Sequence, residues 1–129
     1  MKIVLDTNCL VNVIMPGSYN NDIWQAFRAA KYVLCVTNEI LATRYNAIIA
    51  NTVLKELMES PNLERVNPTY RFNLITADPD DNKFVDCAVI AGATYIVSND
   101  RHFEELRHYD FPKVDVRKLS EFLSIIRTL

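Results

Sequence analysis

The chain has 129 residues, of which 50% are hydrophobic, and its 14 basic and 16 acidic residues give a formal net charge of -2. This length is typical of one domain with one hydrophobic core, so we expect a single domain over residues 1–129. The mild acidity counts against a protein that binds duplex nucleic acid tightly through its net charge, but it leaves room for a local basic surface.

The cysteines and the N-terminus indicate in which cellular compartment the protein is expected. Cys9, Cys35 and Cys87 are odd in number, widely spaced and set among apolar neighbours, which favours buried free thiols in a reducing environment. No CxxC or CxxH pair is present to bind zinc. The N-terminus does not resemble a signal peptide, and no apolar run approaches the roughly 18 residues of a membrane span. We therefore expect a cytoplasmic protein without membrane contact.

The first half of the chain alternates strand and helix patterns. Strands that are apolar on both faces belong in parallel sheets covered by helices. Trp24, Phe27 and Tyr45 fall at core positions of the helical patterns. The predicted elements are a strand at 2–6, a helix from Asn21 or Asp22 to about Ala30, a strand at 33–36, and a long helix that begins at Thr37, breaks near Asn51 and ends at residues 60–62.

The second half continues the alternation. The predicted elements are a helix that begins at Asp80 or Asp81, a strand at 95–97, a short helix after Asp100, a weaker strand at 114–116, and a final amphipathic helix from Leu119 to Ile126. Alternating strands and helices predict an α/β sandwich with a parallel sheet. Right-handed crossovers bring the carboxyl ends of parallel strands to one edge, where such folds bind ligands.

Four acidic residues occupy positions suited to that edge: Asp6, Glu39, Asp86 and Asp100. For Asp6, Glu39 and Asp100 a purely structural role at a helix start stays open. Asp86 is more informative, because it lies in the apolar helix 84–91, where a lone carboxylate is costly to bury. Asp81 is a second-tier candidate: it caps that helix, and its carboxylate could reach the same cleft.

Together the carboxylates predict a metal site. Acidic groups that meet at one edge repel each other, and a divalent cation removes that repulsion. Oxygen ligands favour Mg²⁺ or Mn²⁺ over zinc. Such a cation activates water and neutralises charge on a phosphoryl group. This combination indicates a metal-dependent phosphodiesterase, in particular a ribonuclease.

Four motifs, in order along the chain, resemble those of the PIN domain family. They are residues 3–8 (Ile-Val-Leu-Asp-Thr-Asn), 37–41 (Thr-Asn-Glu-Ile-Leu), 86–91 (Asp-Cys-Ala-Val-Ile-Ala) and 96–100 (Ile-Val-Ser-Asn-Asp). Residues 78–84 (Asp-Pro-Asp-Asp-Asn-Lys-Phe) also resemble a PIN subfamily of toxins from toxin–antitoxin systems. The resemblance extends from Met1 to about Asp115.

The resemblance implies a three-layer α/β/α fold and an Mg²⁺- or Mn²⁺-dependent endoribonuclease that cleaves single-stranded RNA. It implies Asp6, Glu39, Asp86 and Asp100 as catalytic residues. Asp6, Asp86 and Asp100 would be metal ligands, and Glu39 a ligand or a support for one. VapC-like bacterial members are toxins neutralised by a cognate antitoxin, often as dimers, so an antitoxin partner and a homodimer are also implied.

Other polar residues near the predicted edge are candidates for substrate binding. Ser98, which stands where many PIN domains have Thr, and Asn99 could hold a water or a phosphate oxygen. Long basic side chains could line the cleft, with Arg101 the best placed beside Asp100; the set is Arg44, Arg71, Lys83 and Arg101. His102 and His108 have no role in the predicted chemistry.

Several other functions fit the sequence less well. Receiver and haloacid-dehalogenase phosphotransfer domains also place an Asp after the first strand. However, Asn8 stands where the dehalogenase has its second Asp, and residues 99–101 lack the receiver's lysine. No nucleophile elbow, P-loop or GxGxxG motif occurs. The main alternative is a non-catalytic PIN scaffold that binds RNA or protein.

Overall fold

A parallel five-stranded sheet forms the centre of the computed structural model, which describes residues 1–76, 79–110 and 112–129. The strands are β1 (Lys2–Leu5), β2 (Val33–Val36), β3 (Leu63–Arg65), β4 (Tyr95–Val97) and β5 (Val116–Arg117). Their order is β3-β2-β1-β4-β5, and every neighbouring pair is parallel. The predicted α/β class with a central parallel sheet is confirmed.

Helices connect the strands on both sides of the sheet. They are α1 (Thr7–Ile14), α2 (Asn21–Arg28), α3 (Asn46–Ile48), α4 (Asn51–Glu59), α5 (Asn82–Ala91) and α6 (Leu119–Arg127). A π-helical segment, Ile40–Tyr45, leads into α3, and 3₁₀ segments span Pro79–Asp81 and Arg101–His108. The β1-to-β2 and β3-to-β4 connections run in opposite directions along the sheet, so right-handed crossovers place α2 and α5 on opposite faces.

The core agrees with the apolar pattern of the sequence. α5 packs on β1, β2 and β4, while α2 packs on α1 and α6. Trp24 stacks on Phe27, and Tyr32 meets Phe122 edge-on. Tyr45 is completely buried, and its hydroxyl donates to the carbonyl oxygen of Leu5. This bond ties the π-helical segment to the end of β1, next to Asp6.

Two strands differ from the sequence prediction. β3 was not predicted, because Leu63–Arg65 is short, polar and only partly buried. The last strand is Val116–Arg117 rather than 114–116. The predicted break in the long helix is confirmed, since Ile49 is extended and α4 begins at Asn51.

The predicted thiols are confirmed as buried and free: Cys9, Cys35 and Cys87. None of the helices in the described ranges combines the length and the apolar content that a membrane span requires. Asp78, from the 78–84 motif, lies outside the described residues.

Candidate metal centre and the adjoining pocket

Asp6 and Asp100 meet at the carboxyl edge of the sheet through Ser98. The backbone N–H of Asp6 donates to the carbonyl oxygen of Val97 at 3.1 Å. This bond holds the start of α1 against the end of β4. Ser98 Oγ donates to Asp6 Oδ2 at 2.8 Å and accepts the N–H of Asp100 at 3.0 Å. One buried hydroxyl therefore connects the two predicted metal ligands.

The raised pKa of Asp6 is consistent with a site for a cation. Burial raises the pKa of this carboxyl above its usual value, and the negative charge of Asp100 raises it further. The Ser98 hydrogen bond, the backbone N–H of Asn8 and the charge of Arg44 lower the same pKa and only partly offset the burial. A nearby divalent cation would favour the ionised form.

Asp81 and His102 lie close to the carboxylate of Asp100. One ligand atom from each of Asp81, Asp100 and His102 lies within 4.8 Å of the other two. His102 Nδ1 is 3.3 Å from Asp100 Oδ1 and 3.7 Å from Asp81 Oδ2. Asp81 is buried, whereas Asp100 and His102 are partly exposed. The second-tier residue of the sequence analysis is thus the one that the fold brings beside Asp100.

His102 is the residue that sequence reasoning missed. Asp100 caps the 3₁₀ segment Arg101–His108 by accepting the backbone N–H of His102 at 2.9 Å. This cap turns the residue two positions after Asp100 back toward the cleft. The sequence feature that could have identified it is a histidine two residues after an aspartate that caps a helical segment.

Glu39 and Asp86 form a second acidic pair, on the side of α5. Asp86 is buried, and its Oδ1 accepts the backbone N–H of Phe72 at 3.0 Å. Burial raises the pKa of Asp86, the Phe72 N–H and the charge of Arg71 lower it, and the charge of Glu39 raises it. The sequence prediction that Asp86 lies buried in an apolar helix is correct, and its partner is a backbone amide from the segment before α5.

A polar cavity of about 180 Å³ lies beside this pair. Glu39 pairs with Arg71 at 3.5 Å and with Lys83 at 3.8 Å across it. Its lining residues are Thr37, Asn38, Glu39, Asn67, Pro68, Arg71, Lys83 and Asp86. Of the basic residues proposed from sequence, Arg71 and Lys83 therefore lie together at the acidic pair.

The remaining candidates do not line this cavity. Asn99 Oδ1 accepts the N–H of Leu119 at 2.9 Å, which gives its side chain a structural role at the start of α6. Arg101 is exposed and borders a separate cavity with Asp100. The guanidinium of Arg44 lies 5.8 Å from the ring centre of Phe84.

The donor set of the cluster fits a hard or borderline divalent cation. Carboxylate oxygens suit Mg²⁺ and Mn²⁺, and an imidazole nitrogen adds a ligand that first-row transition metals accept more readily than Mg²⁺ does. No cysteine belongs to the cluster of Asp81, Asp100 and His102 found among the described residues.

The comparison with known protein families agrees with this geometry. The profile described as PIN domain matches residues 2–102. The chain belongs to the PIN domain family. The matched range includes all four predicted acids, Asp81 and His102. PIN domains are in general metal-dependent nucleases that use divalent cations. No curated protein matches the chain significantly.

Proposed function

We propose that this PIN domain is an Mg²⁺- or Mn²⁺-dependent endoribonuclease that cleaves single-stranded RNA. The observation that supports it most is the cluster of Asp81, Asp100 and His102, to which Asp6 is joined through the Ser98 hydroxyl and the backbone N–H of Asp100. Two of these carboxylates are buried. Such an arrangement is costly for stability alone and is suited to a cation.

In this proposal Asp6, Asp81 and Asp100 hold the cation, and His102 is an additional ligand. When bound, the cation neutralises charge on the phosphodiester and makes an attacking water more acidic. Ser98 orients Asp6 through its hydroxyl hydrogen bond. Glu39 and Asp86 form a second acidic pair. Asp86 is the alternative to Asp81 as the third carboxylate ligand.

A cleavage assay tests this function. Mixed-sequence single-stranded RNA is incubated with the protein and Mn²⁺ or Mg²⁺, and in parallel with excess EDTA. Asp6→Asn removes one carboxylate charge while keeping an oxygen that accepts from Ser98. The matched control is Asp22→Asn, an exposed surface aspartate paired with Arg127 at 3.2 Å.

We expect cleavage that needs the metal, persists in Asp22→Asn and falls at least about 100-fold in Asp6→Asn, in line with the large losses seen when a group that acts at the reacting centre is removed. Equal cleavage by Asp6→Asn and wild type would contradict the site. Metal binding without cleavage would favour the non-catalytic scaffold instead.

We further propose that the protein is the toxin of a toxin–antitoxin pair. This part is supported by the resemblance of residues 78–84 to a toxin subfamily. Induced expression of the wild-type chain in a bacterial host should arrest growth, whereas Asp6→Asn expressed at the same level should not. Equal growth with both chains would contradict the toxin role.

The family resemblance also leads us to propose a homodimer in a cytoplasmic setting. The chain mass is 14.8 kDa, so light scattering after gel filtration should give about twice that value. A mass equal to one chain across the concentration range would contradict the dimer.

A further inference from the structure

The segment between β3 and α5, residues 66–76, crosses the site as a strap held by side chains from elsewhere. Phe72 N–H donates to Asp86 at 3.0 Å. The side chain of Asn82 pairs with both the N–H and the carbonyl oxygen of Ile75, each at 2.9 Å. Thr76 donates to Glu105 from its backbone N–H at 3.0 Å and from its hydroxyl at 2.9 Å. The strap is therefore anchored along its second half.

The strap presents an aromatic and a basic side chain to solvent in succession. Tyr70 is 62% exposed, although its ring meets Phe72 edge-on at 4.8 Å. The side chain of Arg71 is 67% exposed and points to Glu39 at 3.5 Å. Lys83, from α5, lies 3.8 Å from the same Glu39, with only 20% of its side chain exposed.

These two cations retain capacity for a further anion. Their contacts with Glu39, at 3.5 and 3.8 Å, and that of Lys83 with Asp80, at 4.0 Å, exceed the roughly 2.7–2.9 Å of a close charge-assisted hydrogen bond. Guanidinium and ammonium groups donate several hydrogen bonds each, so both can turn toward a phosphate oxygen. The cavity also offers the amides of Asn38 and Asn67 and the hydroxyl of Thr37.

We propose, on the basis of the proposed function, that this cavity binds one nucleotide of the single-stranded RNA. Arg71 and Lys83 contact its phosphate, and the base stacks on the exposed ring of Tyr70. Cationic side chains that contact the backbone and an aromatic ring that stacks a base are the features with which proteins bind single strands without sequence preference. The strap is the positioning element, since the anchored residue Phe72 directly follows Arg71, which lies at Glu39, and contacts the ring of Tyr70.

The phosphate contacts are tested by the salt dependence of RNA binding. The probe is a fluorescein-labelled, mixed-sequence single-stranded RNA in the presence of Mn²⁺, and every chain contains Asp6→Asn to prevent cleavage. Arg71→Gln and Lys83→Gln should each weaken binding and lower the slope of log K against log salt by about 0.7, the value for one contact with a single strand. The matched controls are Arg28→Gln and Lys55→Gln, which remove surface cations paired with Glu56 and Glu59.

The base contact is tested by Tyr70→Ala in the same binding assay. We expect affinity to fall on the order of 5- to 150-fold with an unchanged salt slope, because stacking does not release counterions. Tyr70→Phe should bind like the parent. The control is Tyr19→Ala, which removes a ring that is 76% exposed on another surface.

The phosphate contact would be overturned if the salt slopes equal those of the controls, whether or not affinity falls. This applies to Arg71→Gln and to Lys83→Gln. Binding of Tyr70→Ala equal to that of the parent would overturn the stacking contact. If the Asp6→Asn parent itself does not bind RNA, and the wild-type chain does not cleave it, the proposed function fails rather than the assignment of this cavity alone. Circular dichroism of each variant confirms that the comparison is between folded chains.

Discussion

Asp6 experiences opposing effects on its charge. Burial and the charge of Asp100 raise its pKa, whereas the Ser98 hydroxyl lowers it, and the result is a pKa above the usual 3.8. The folded state therefore binds more protons than the unfolded state between that usual value and the raised one. The free energy of unfolding contributed by Asp6 falls as pH rises through this interval.

Metal-free Asp6→Asn should consequently be more stable than wild type at pH 7. The difference should shrink as pH falls through the raised pKa, because wild-type Asp6 then becomes neutral as well. Thermal unfolding in EDTA at pH 7 and near pH 4 measures both values. A mutant that is less stable than wild type at pH 7 would contradict the electrostatic account.

We expect His102 to determine whether the site prefers Mn²⁺ or Mg²⁺. Replacing its nitrogen ligand by an amide oxygen in His102→Gln should weaken Mn²⁺ binding about tenfold and leave Mg²⁺ binding nearly unchanged, since nitrogen ligands favour transition metals. Competition between the two ions, followed by calorimetry, measures the ratio. An equal loss for both ions would mean that His102 acts through structure.

Individual residues were predictable where local chemistry is decisive. The apolar neighbours of Asp86 indicated its burial, and Asp100 was recognisable as a helix cap. Their individual contacts were not predictable, because Asp86 accepts the N–H of Phe72 and Asp81 lies 3.7 Å from His102, a residue placed by the turn after Asp100.

At the level of elements, β1, β2 and β4 were predicted because each is an apolar run whose last two residues are buried. β3 and the strap follow no such pattern. The strap has no regular hydrogen bonding of its own, and side chains from α5 and the 3₁₀ segment Arg101–His108 fix its position. Such contacts depend on the completed fold.

Asn82 anchors the strap through two buried hydrogen bonds. Its amide satisfies both backbone groups of Ile75, which is 1% exposed. Asn82→Ala should lower the free energy of unfolding by about 2–6 kcal/mol, because each of the two buried groups left without a partner costs roughly 1–3 kcal/mol. Asn82→Asp keeps an acceptor for the Ile75 N–H but sets a carboxylate oxygen against the Ile75 carbonyl oxygen, so it should be destabilised as well. Urea unfolding measures all three chains, and a change within about 0.5 kcal/mol for Asn82→Ala would contradict the anchoring role.

For the whole molecule, the strand order places β1 in the middle of the sheet and α6, the last helix, against α2. The C-terminal helix also receives the Asn99 cap from beside the candidate metal centre. We therefore propose that residues 1–129 unfold as one cooperative domain. Unfolding followed by circular dichroism and by Trp24 fluorescence should give coincident transitions, and separate midpoints would contradict this.

The most direct test of the metal centre is calorimetric titration of Mn²⁺ into wild type, Asp6→Asn, Asp81→Asn, Asp100→Asn and Asp86→Asn. We expect one class of site in wild type and a loss of about 100-fold or more in the first three variants, since even groups that only support a ligand cost 10- to 100-fold. Asp86→Asn should bind within about tenfold of wild type, because its amide oxygen still accepts from Phe72. Full retention of binding by Asp81→Asn, together with its loss in Asp86→Asn, would contradict the assignment of Asp81. Absence of binding in wild type would contradict the metal centre altogether.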